Sequence, residues 1–496
     1  MSVSGELNLH TNILANFFGG FLRIFLSIIF VPIYIHYLGI ESYGLIGFYA
    51  MLQGSISVLE LGLSRACTRE FAINSQSGHT DYKKMQDVLR SLEIVYWLVA
   101  LSLGIILAFF SPIISRYWIN SSQYKPEELI GILKILSWSV AIRWPIGVYT
   151  SALLGLQQHL KVNILQTLQS TFTGLGSILI LQYWKADIFT FFYWQLIFGL
   201  ISVVTFAYLA WKNLPCSVLR ARFYMPVLKK IWSFSRGIRL NAVLGTIQSQ
   251  SDKIILSAIL PLKIFGYYVL ASTIAQALIM IASAFSTSVF PRFSQMTKTG
   301  HINSDVFVLY RLVSQYVGCI IIPLGLTIAF FPQELLYSYT GNTDLSKHAS
   351  SLLTVLIIAT IFHASGAVPY AFQMASGSTH LSVYMNAINL VWRIPSTIYF
   401  SYHYGSIGAA YIYLLGSSIH FLLVTFLIYR NLTMNGWWHW LLNAMIWPLA
   451  LTLPFLFIAK EFLNVFSKNR IMIAIELMAI SLFLISATIF RLRLKT

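Results

Sequence analysis

Five arginines, Arg23, Arg143, Arg236, Arg239 and Arg393, stand inside long apolar runs rather than in the polar breaks between them. An ionisable side chain in hydrocarbon costs roughly 2.5 to 3.5 kcal/mol on the gentlest scale, so it usually binds or pairs with something. Arginine is suited to anions. Its planar fork donates paired hydrogen bonds, and it keeps its charge in a dry cavity where lysine can lose its proton.

Arg143 and Arg393 have no acid close to them in their own apolar runs, and each is followed two residues later by a proline, Pro145 and Pro395. A proline there is expected to open a turn and let the side chain tilt into a cavity. Arg236 and Arg239, three apart, project from one helix face. Arg23 lies at a similar depth to Glu60 of the next run, so pairing is one alternative to ligand binding, and Arg236 could instead reach the headgroups. Arg65, Arg69, Arg292 and Arg311 sit at run ends and read as structural or interfacial.

Few acids accompany them. Glu60 and Asp252 are candidates for ion coupling, with structural pairing to an arginine or to Lys253 as the alternative. His363 and His420 lie in runs without Cys or carboxylate at ligand spacing, so neither a metal site nor a cofactor is expected. Tyr and Trp could stack on sugar faces, but interfacial belts explain most of them.

The elements that must position these residues are membrane helices. The 496 residues are 57% hydrophobic and only 10% charged, with a mean hydropathy of +0.72. This composition excludes a soluble globular domain. The formal net charge of +17 then points to cytoplasmic loops and anionic headgroups, not to nucleic acid, because there is no soluble basic domain. Cys67, Cys216 and Cys319 are scattered singly, and no disulfide is expected. The run 12–36 is too long for a signal peptide and should remain as the first span.

A span needs about 20 apolar residues, and the polar breaks divide the chain into about fourteen of them: 12–36, 42–70, 86–112, 128–155, 160–184, 188–211, 231–260, 265–297, 305–331, 348–376, 380–401, 406–430, 438–460 and 471–490. The excess of Lys and Arg in alternate loops places both termini in the cytoplasm. Counting inward at 1.5 Å per residue puts Arg236 about 10 Å deep, Arg239 about 15 Å, Arg23 about 17 Å, Arg143 about 18 Å and Arg393 about 21 Å.

Several local patterns recur at an offset of 221 or 222 residues: Tyr43-Gly44 with Phe265-Gly266, Phe109-Phe110 with Phe330-Phe331, and His159-Leu160 with His380-Leu381. Six helices separate the copies, so the halves run parallel. Two such halves are the construction of a transporter with its cavity between lobes. The expected division is an N-lobe 1–215, a C-lobe 216–430 and two accessory helices in 431–496. No break is long enough for an extramembrane catalytic domain.

The stretches Pro32-Ile33-Tyr34-Ile35, Tyr37-Leu38-Gly39-Ile40-Glu41-Ser42-Tyr43-Gly44, Leu59-Glu60-Leu61-Gly62, Gln248-Ser249-Gln250-Ser251-Asp252-Lys253 and Phe290-Pro291-Arg292-Phe293 together resemble the Wzx-type polysaccharide repeat-unit (O-antigen) flippases. These belong to the multidrug, oligosaccharidyl-lipid and polysaccharide (MOP) exporter superfamily. Family members often carry Asp where this chain has Glu60.

The resemblance implies an all-α polytopic protein of about fourteen helices, two six-helix lobes in a V plus two accessory helices. Its cargo would be an undecaprenyl-diphosphate-linked oligosaccharide, crossing the bacterial inner membrane by alternating access. Arg143, Arg393, Arg239, Arg236 and Arg23 would meet the diphosphate. Partners would be membrane lipids, other polysaccharide-assembly proteins and a coupling H+ or Na+. The alternatives are a drug exporter or a lipid II flippase of the same superfamily, and, less well supported, a membrane polymerase or ligase.

Overall fold

A computed structural model describes residues 3–60, 63–76, 82–214, 221–226, 228–229, 236–297, 304–377, 379–431, 436–462 and 469–495. They are helical almost throughout, because backbone groups in lipid must find their partners within the segment. The helices are α1 (Val3–Ile56), α2 (Leu63–Gln76), α3 (Tyr82–Ile113), α4 (Pro126–Arg143), α5 (Ile146–Gly155), α6 (His159–Tyr183), α7 (Ile188–Asn213), α8 (Arg236–Ile259), α9 (Leu262–Thr297), α10 (Ser304–Phe330), α11 (Pro332–Thr340), α12 (Thr343–Ser365), α13 (Ala367–Ala375), α14 (Thr379–Asn431), α15 (Trp437–Leu441), α16 (Trp447–Phe462) and α17 (Arg470–Lys495).

Eleven of the described helical stretches are long and apolar enough to cross a membrane. The difference from fourteen has identifiable causes. Glycines with non-helical backbone, Gly39 (φ 81°) and Gly405 (φ 65°), sit inside α1 and α14, so that one continuous element holds what the hydropathy pattern separates into two spans. The expected span 42–70 is broken: α1 ends at Ile56, a 3-10 turn covers Ser57–Glu60, and α2 begins at Leu63. The span expected over 128–155 is α4 and α5, parted at Trp144-Pro145, as the proline predicts, although Pro126–Gly155 still forms one membrane-length stretch. Pro395 does not do the same. Helix continues through it to the Gly405 kink of α14, because a membrane helix tolerates the loss of one backbone bond when the flanking turns are packed.

The chain divides into two compact units, residues 1–263 and 264–496. In the first, α1 packs along α6, and Gly174 makes this possible: a Cβ there would lie 1.9 Å from the Phe30 ring. The repeat places α8 in the second half, but it packs against α1 in the first unit, with Gln250 filling the space above Gly54 and Ser257 accepting a hydrogen bond from Trp118 Nε1 at 3.0 Å. The turn at Gly39 is fixed by Glu41, whose carboxylate accepts from Ser121 Oγ (2.6 Å), Ser122 N (2.8 Å), Ser122 Oγ (3.0 Å) and Gln123 N (3.0 Å). Gly44 then lets Leu262 approach, its carbonyl 2.6 Å from where a Cβ would sit.

In the second unit, α12 packs on both α14 and α10, while α16 and α17 lie against α10. Cys67 and Cys319 are buried free thiols; Cys216 lies outside the described residues.

Two outcomes follow from this packing. Gly174→Ala should destabilise the detergent-solubilised protein by about 1 to 3 kcal/mol, as overpacking does, read as a lowered Tm, and a second change, Phe30→Ala, should restore part of it. Asp187 caps α7 through Thr190 N (2.7 Å) and pairs with Lys185 (2.7 Å). Burial pushes its carboxyl up, but the bonds from Lys185 and Thr190 outweigh that and hold it below the usual carboxylate range. Its folded pKa being depressed, the stability it adds is complete above about pH 4, the ordinary range of aspartate, and fades as pH falls below. Asp187→Ala should therefore lower Tm at neutral pH and flatten the acid limb of the Tm profile.

Candidate functional site

Arg143 closes α4, where Pro145 ends the helix and the C-terminal dipole favours a cation. Its Nη2 donates to Gln195 Oε1 at 2.7 Å and to the Gln195 carbonyl at 3.4 Å on α7, while Nε is buried without a partner. Gly199, one turn beyond, gives the side chain room: a Cβ there would stand 3.4 Å from its Cγ and Nε. Gln195 Nε2 donates onward to Ser177 Oγ (3.3 Å) on α6, and Tyr34 and Tyr49 of α1 lie within electrostatic range. Three helices, α1, α6 and α7, thus contribute neutral polar groups around one guanidinium. Among the described residues, no carboxylate pairs with it.

Arg393 is only 3% exposed. Its guanidinium carbon lies 4.7 Å from the Tyr413 ring centroid, a cation–π contact made across the Gly405 turn of α14. Gly416 permits it, the Arg393 Cδ being 3.4 Å from a Cβ built there. One turn before Arg393, Asn389 has both amide atoms buried without a hydrogen bond. His363 of α12 and His420 of α14 lie within electrostatic range of Arg393. Among the described residues, no hydrogen-bond acceptor or acid is paired with Arg393.

The other candidates are placed differently. Arg23 Nη1 donates to Asn163 Oδ1 of α6 at 3.3 Å, and Glu60 accepts from Ser64 Oγ at 3.0 Å and fits over Gly147. The Arg23–Glu60 pair, one of two alternatives, is therefore not made. Asp252 is buried on α8, which runs beside the 3-10 turn that carries Glu60. Arg236 and Arg239 belong to the first turns of α8, and their side chains lie outside the described residues.

Sequence reasoning missed the neutral partners. Gln195, Asn389 and Asn163 were legible only as lone amides in apolar runs. Glu93 shows the contrasting case of an acid fully engaged in structure: it accepts from Arg90 (2.7 Å), Tyr149 OH (2.6 Å) and Trp211 Nε1 (3.3 Å).

Residues 9–297, more than half of the chain, match the family model described as "Polysaccharide biosynthesis protein". The chain belongs to this family. Its Wzx-like character is supported by a Shigella flexneri protein described as "Putative O-antigen transporter", 20% identical over 375 residues that cover 75% of this chain and 86% of the relative. The fold of this polysaccharide biosynthesis protein is that of the MOP superfamily. An inward-closed structure of the lipid II flippase MurJ superimposes with a TM-score of 0.71 at 16% identity, covering 98% of this chain and 100% of that one. An inward-facing multidrug resistance MATE transporter of the MOP superfamily gives 0.66 at 14% identity, covering 83% and 94%. The Shigella relative and both superimposed proteins carry transporter or flippase names, and none of the three is named as a polymerase or ligase.

The neutral nest around Arg143 has a measurable consequence. Gln195→Leu should cost about 2 to 3 kcal/mol by leaving a buried cation without its acceptor. Adding Arg143→Met should recover most of that loss, as the Tm of the single and double variants in detergent would report. Additive losses would show that the two side chains act independently.

Proposed function

We propose that this transporter moves undecaprenyl-diphosphate-linked oligosaccharide repeat units from the inner to the outer leaflet of a bacterial inner membrane by alternating access, with both termini in the cytoplasm. The observation that carries the reading is Arg393: a buried guanidinium, stacked on Tyr413, with no acid paired to it among the described residues. A cation so placed leaves its donor edge available to an anionic headgroup. Arg143 joins it as the second cation held by neutral groups, and Arg239, Arg236 and Arg23 complete the set. The names of the relatives, an O-antigen transporter and a lipid II flippase, support a lipid-linked cargo.

In this mechanism, the guanidinium groups replace the water that the diphosphate loses on entering, and the polyprenyl tail stays in lipid. A negative cell interior favours outward movement of the anion by roughly 2.3 kcal/mol per charge per 100 mV. Glu60, with Ser64 as its hydrogen-bond donor, and Asp252 are the proposed sites for H+ or Na+ coupling. A drug exporter that holds cationic cargo would place carboxylates where Arg143 and Arg393 stand.

Arg393→Ala and Arg143→Ala, made separately and matched for membrane expression, should each reduce surface polysaccharide at least about tenfold, the effect of losing one charge-assisted contact. Lipid-linked intermediate should accumulate in the inner leaflet. Normal surface polysaccharide from both variants would sink the assignment.

A further inference from the structure

A second cationic site lies in the second unit, where α16 and α17 meet α10. It is a cavity of about 310 Å³, lined by Gln315 and Cys319 of α10, Asn443, Trp447 and Leu451 around the start of α16, and Thr488 and Arg491 of α17. The walls are fixed by close contacts. Thr488 Oγ1 donates to the Cys319 carbonyl at 2.9 Å. A Cβ at Gly318 would fall 1.9 Å from the Ala444 carbonyl, so only glycine admits the neighbouring strand of backbone, which is a π-helical turn over Leu442–Ile446. Such turns shift the register of side chains beyond them and recur at binding sites.

Arg491 is the group that gives the cavity its chemistry. Its guanidinium carbon lies 3.5 Å from the Trp447 ring centroid, a cation–π contact that seats the cation on the indole face. Among the described residues, no acid or carbonyl oxygen accepts from it. Arg470, at the other end of the same helix, is bound to the Ser338 and Tyr339 carbonyls at 3.3 Å. Twenty-one helical rises separate the two arginines, about 31 Å, which matches the roughly 30 Å hydrocarbon thickness of a bilayer. Arg491 therefore stands at the depth of lipid phosphates if Arg470 stands at the opposite interface. Below it, Leu451 and Ile458, seven residues apart on one face of α16, are 39% and 58% exposed, an apolar track for a chain descending from the cavity.

We propose that this cavity binds the phosphate headgroup of an anionic glycerophospholipid such as phosphatidylglycerol, with Arg491 as its cation, the Gln315 and Asn443 amides beside it, and an acyl chain along Leu451 and Ile458. The site is separate from Arg143 and Arg393, so its fate and that of the flippase reading are independent.

The test uses the purified full-length chain in detergent and native mass spectrometry. Phosphatidylglycerol and phosphatidylcholine of equal chain length are the probes. The wild type should retain one more phosphatidylglycerol than Arg491→Ala, with an apparent affinity about ten times higher, the effect of one charge-assisted pair. Phosphatidylcholine retention should be the same in both. Arg491→Gln, which removes the charge but keeps a polar, partly extended side chain, should show the same loss and serves if the alanine variant does not fold. Arg493→Ala removes an equal charge from an exposed position outside the cavity and should retain the lipid. Equal phosphatidylglycerol retention by the wild type and both Arg491 variants would overturn the proposal. So would an equal loss from Arg493→Ala, which marks diffuse charge, or displacement of the lipid by millimolar inorganic phosphate, which marks a free-anion site.

Discussion

A guanidinium removed from water must be given either acceptors or a polarisable face, and the way this chain meets that demand organises much of its interior. Arg143 has an amide and a carbonyl from Gln195, and Arg393 has the ring of Tyr413. Arg90 alone in this set has a carboxylate, Glu93, three residues along the same helix. The distinction matters because a carboxylate neutralises the charge, whereas an amide or a ring only lowers the cost of burying it. Two cations are thus held inside the protein with no carboxylate paired to either among the described residues, and the helices around them must draw their stability from elsewhere.

That stability comes from backbone proximity. Lipid tails are as apolar as leucine, so membrane helices gain little by hiding apolar side chains from them and associate through close packing instead. Gly174 against Phe30, Gly176 against Trp194 and Gly318 against the Ala444 carbonyl are the places where this chain brings helices within reach. Each pairs a glycine with a bulky ring or a bare carbonyl, so the fit is specific to both partners. The same principle positions the candidate cations, since Gly199 and Gly416 make the room in which Arg143 and Arg393 lie.

The helical membrane class was legible in composition and hydropathy, because the bilayer dictates both. The arginines were legible because a charge stands out in an apolar run. Their partners were not: Gln195 and Asn389 are neutral, and hydropathy gives no reason to join either to an arginine on another turn or helix. The 3-10 turn over Ser57–Glu60 was invisible because a window averages across a short turn that keeps apolar residues such as Val58 and Leu59. Arg143-Trp144-Pro145 and Arg393-Ile394-Pro395 show how one pattern yields two outcomes. Trp144 N turns to the Ala141 carbonyl at 3.2 Å and α4 stops, while α14 runs on through Pro395. Proline removes a donor in both, and tertiary packing decides whether the helix survives the loss.

The acids explain why the cations remain available. An ionised carboxylate has about four lone-pair sites, and Glu41 receives four donors from the 121–123 loop, two of them backbone N–H groups that have no other partner to turn to. Glu93 is occupied by Arg90, Tyr149 and Trp211. Moving either acid to an arginine deeper in the membrane would leave several part-buried donors without their acceptor and add a desolvation cost that a new ion pair need not return. These carboxylates are committed to turns and helix contacts. The positive charge of Arg143 and Arg393 is therefore not balanced by them, and the proposed anionic cargo would not have to compete with these acids for either cation.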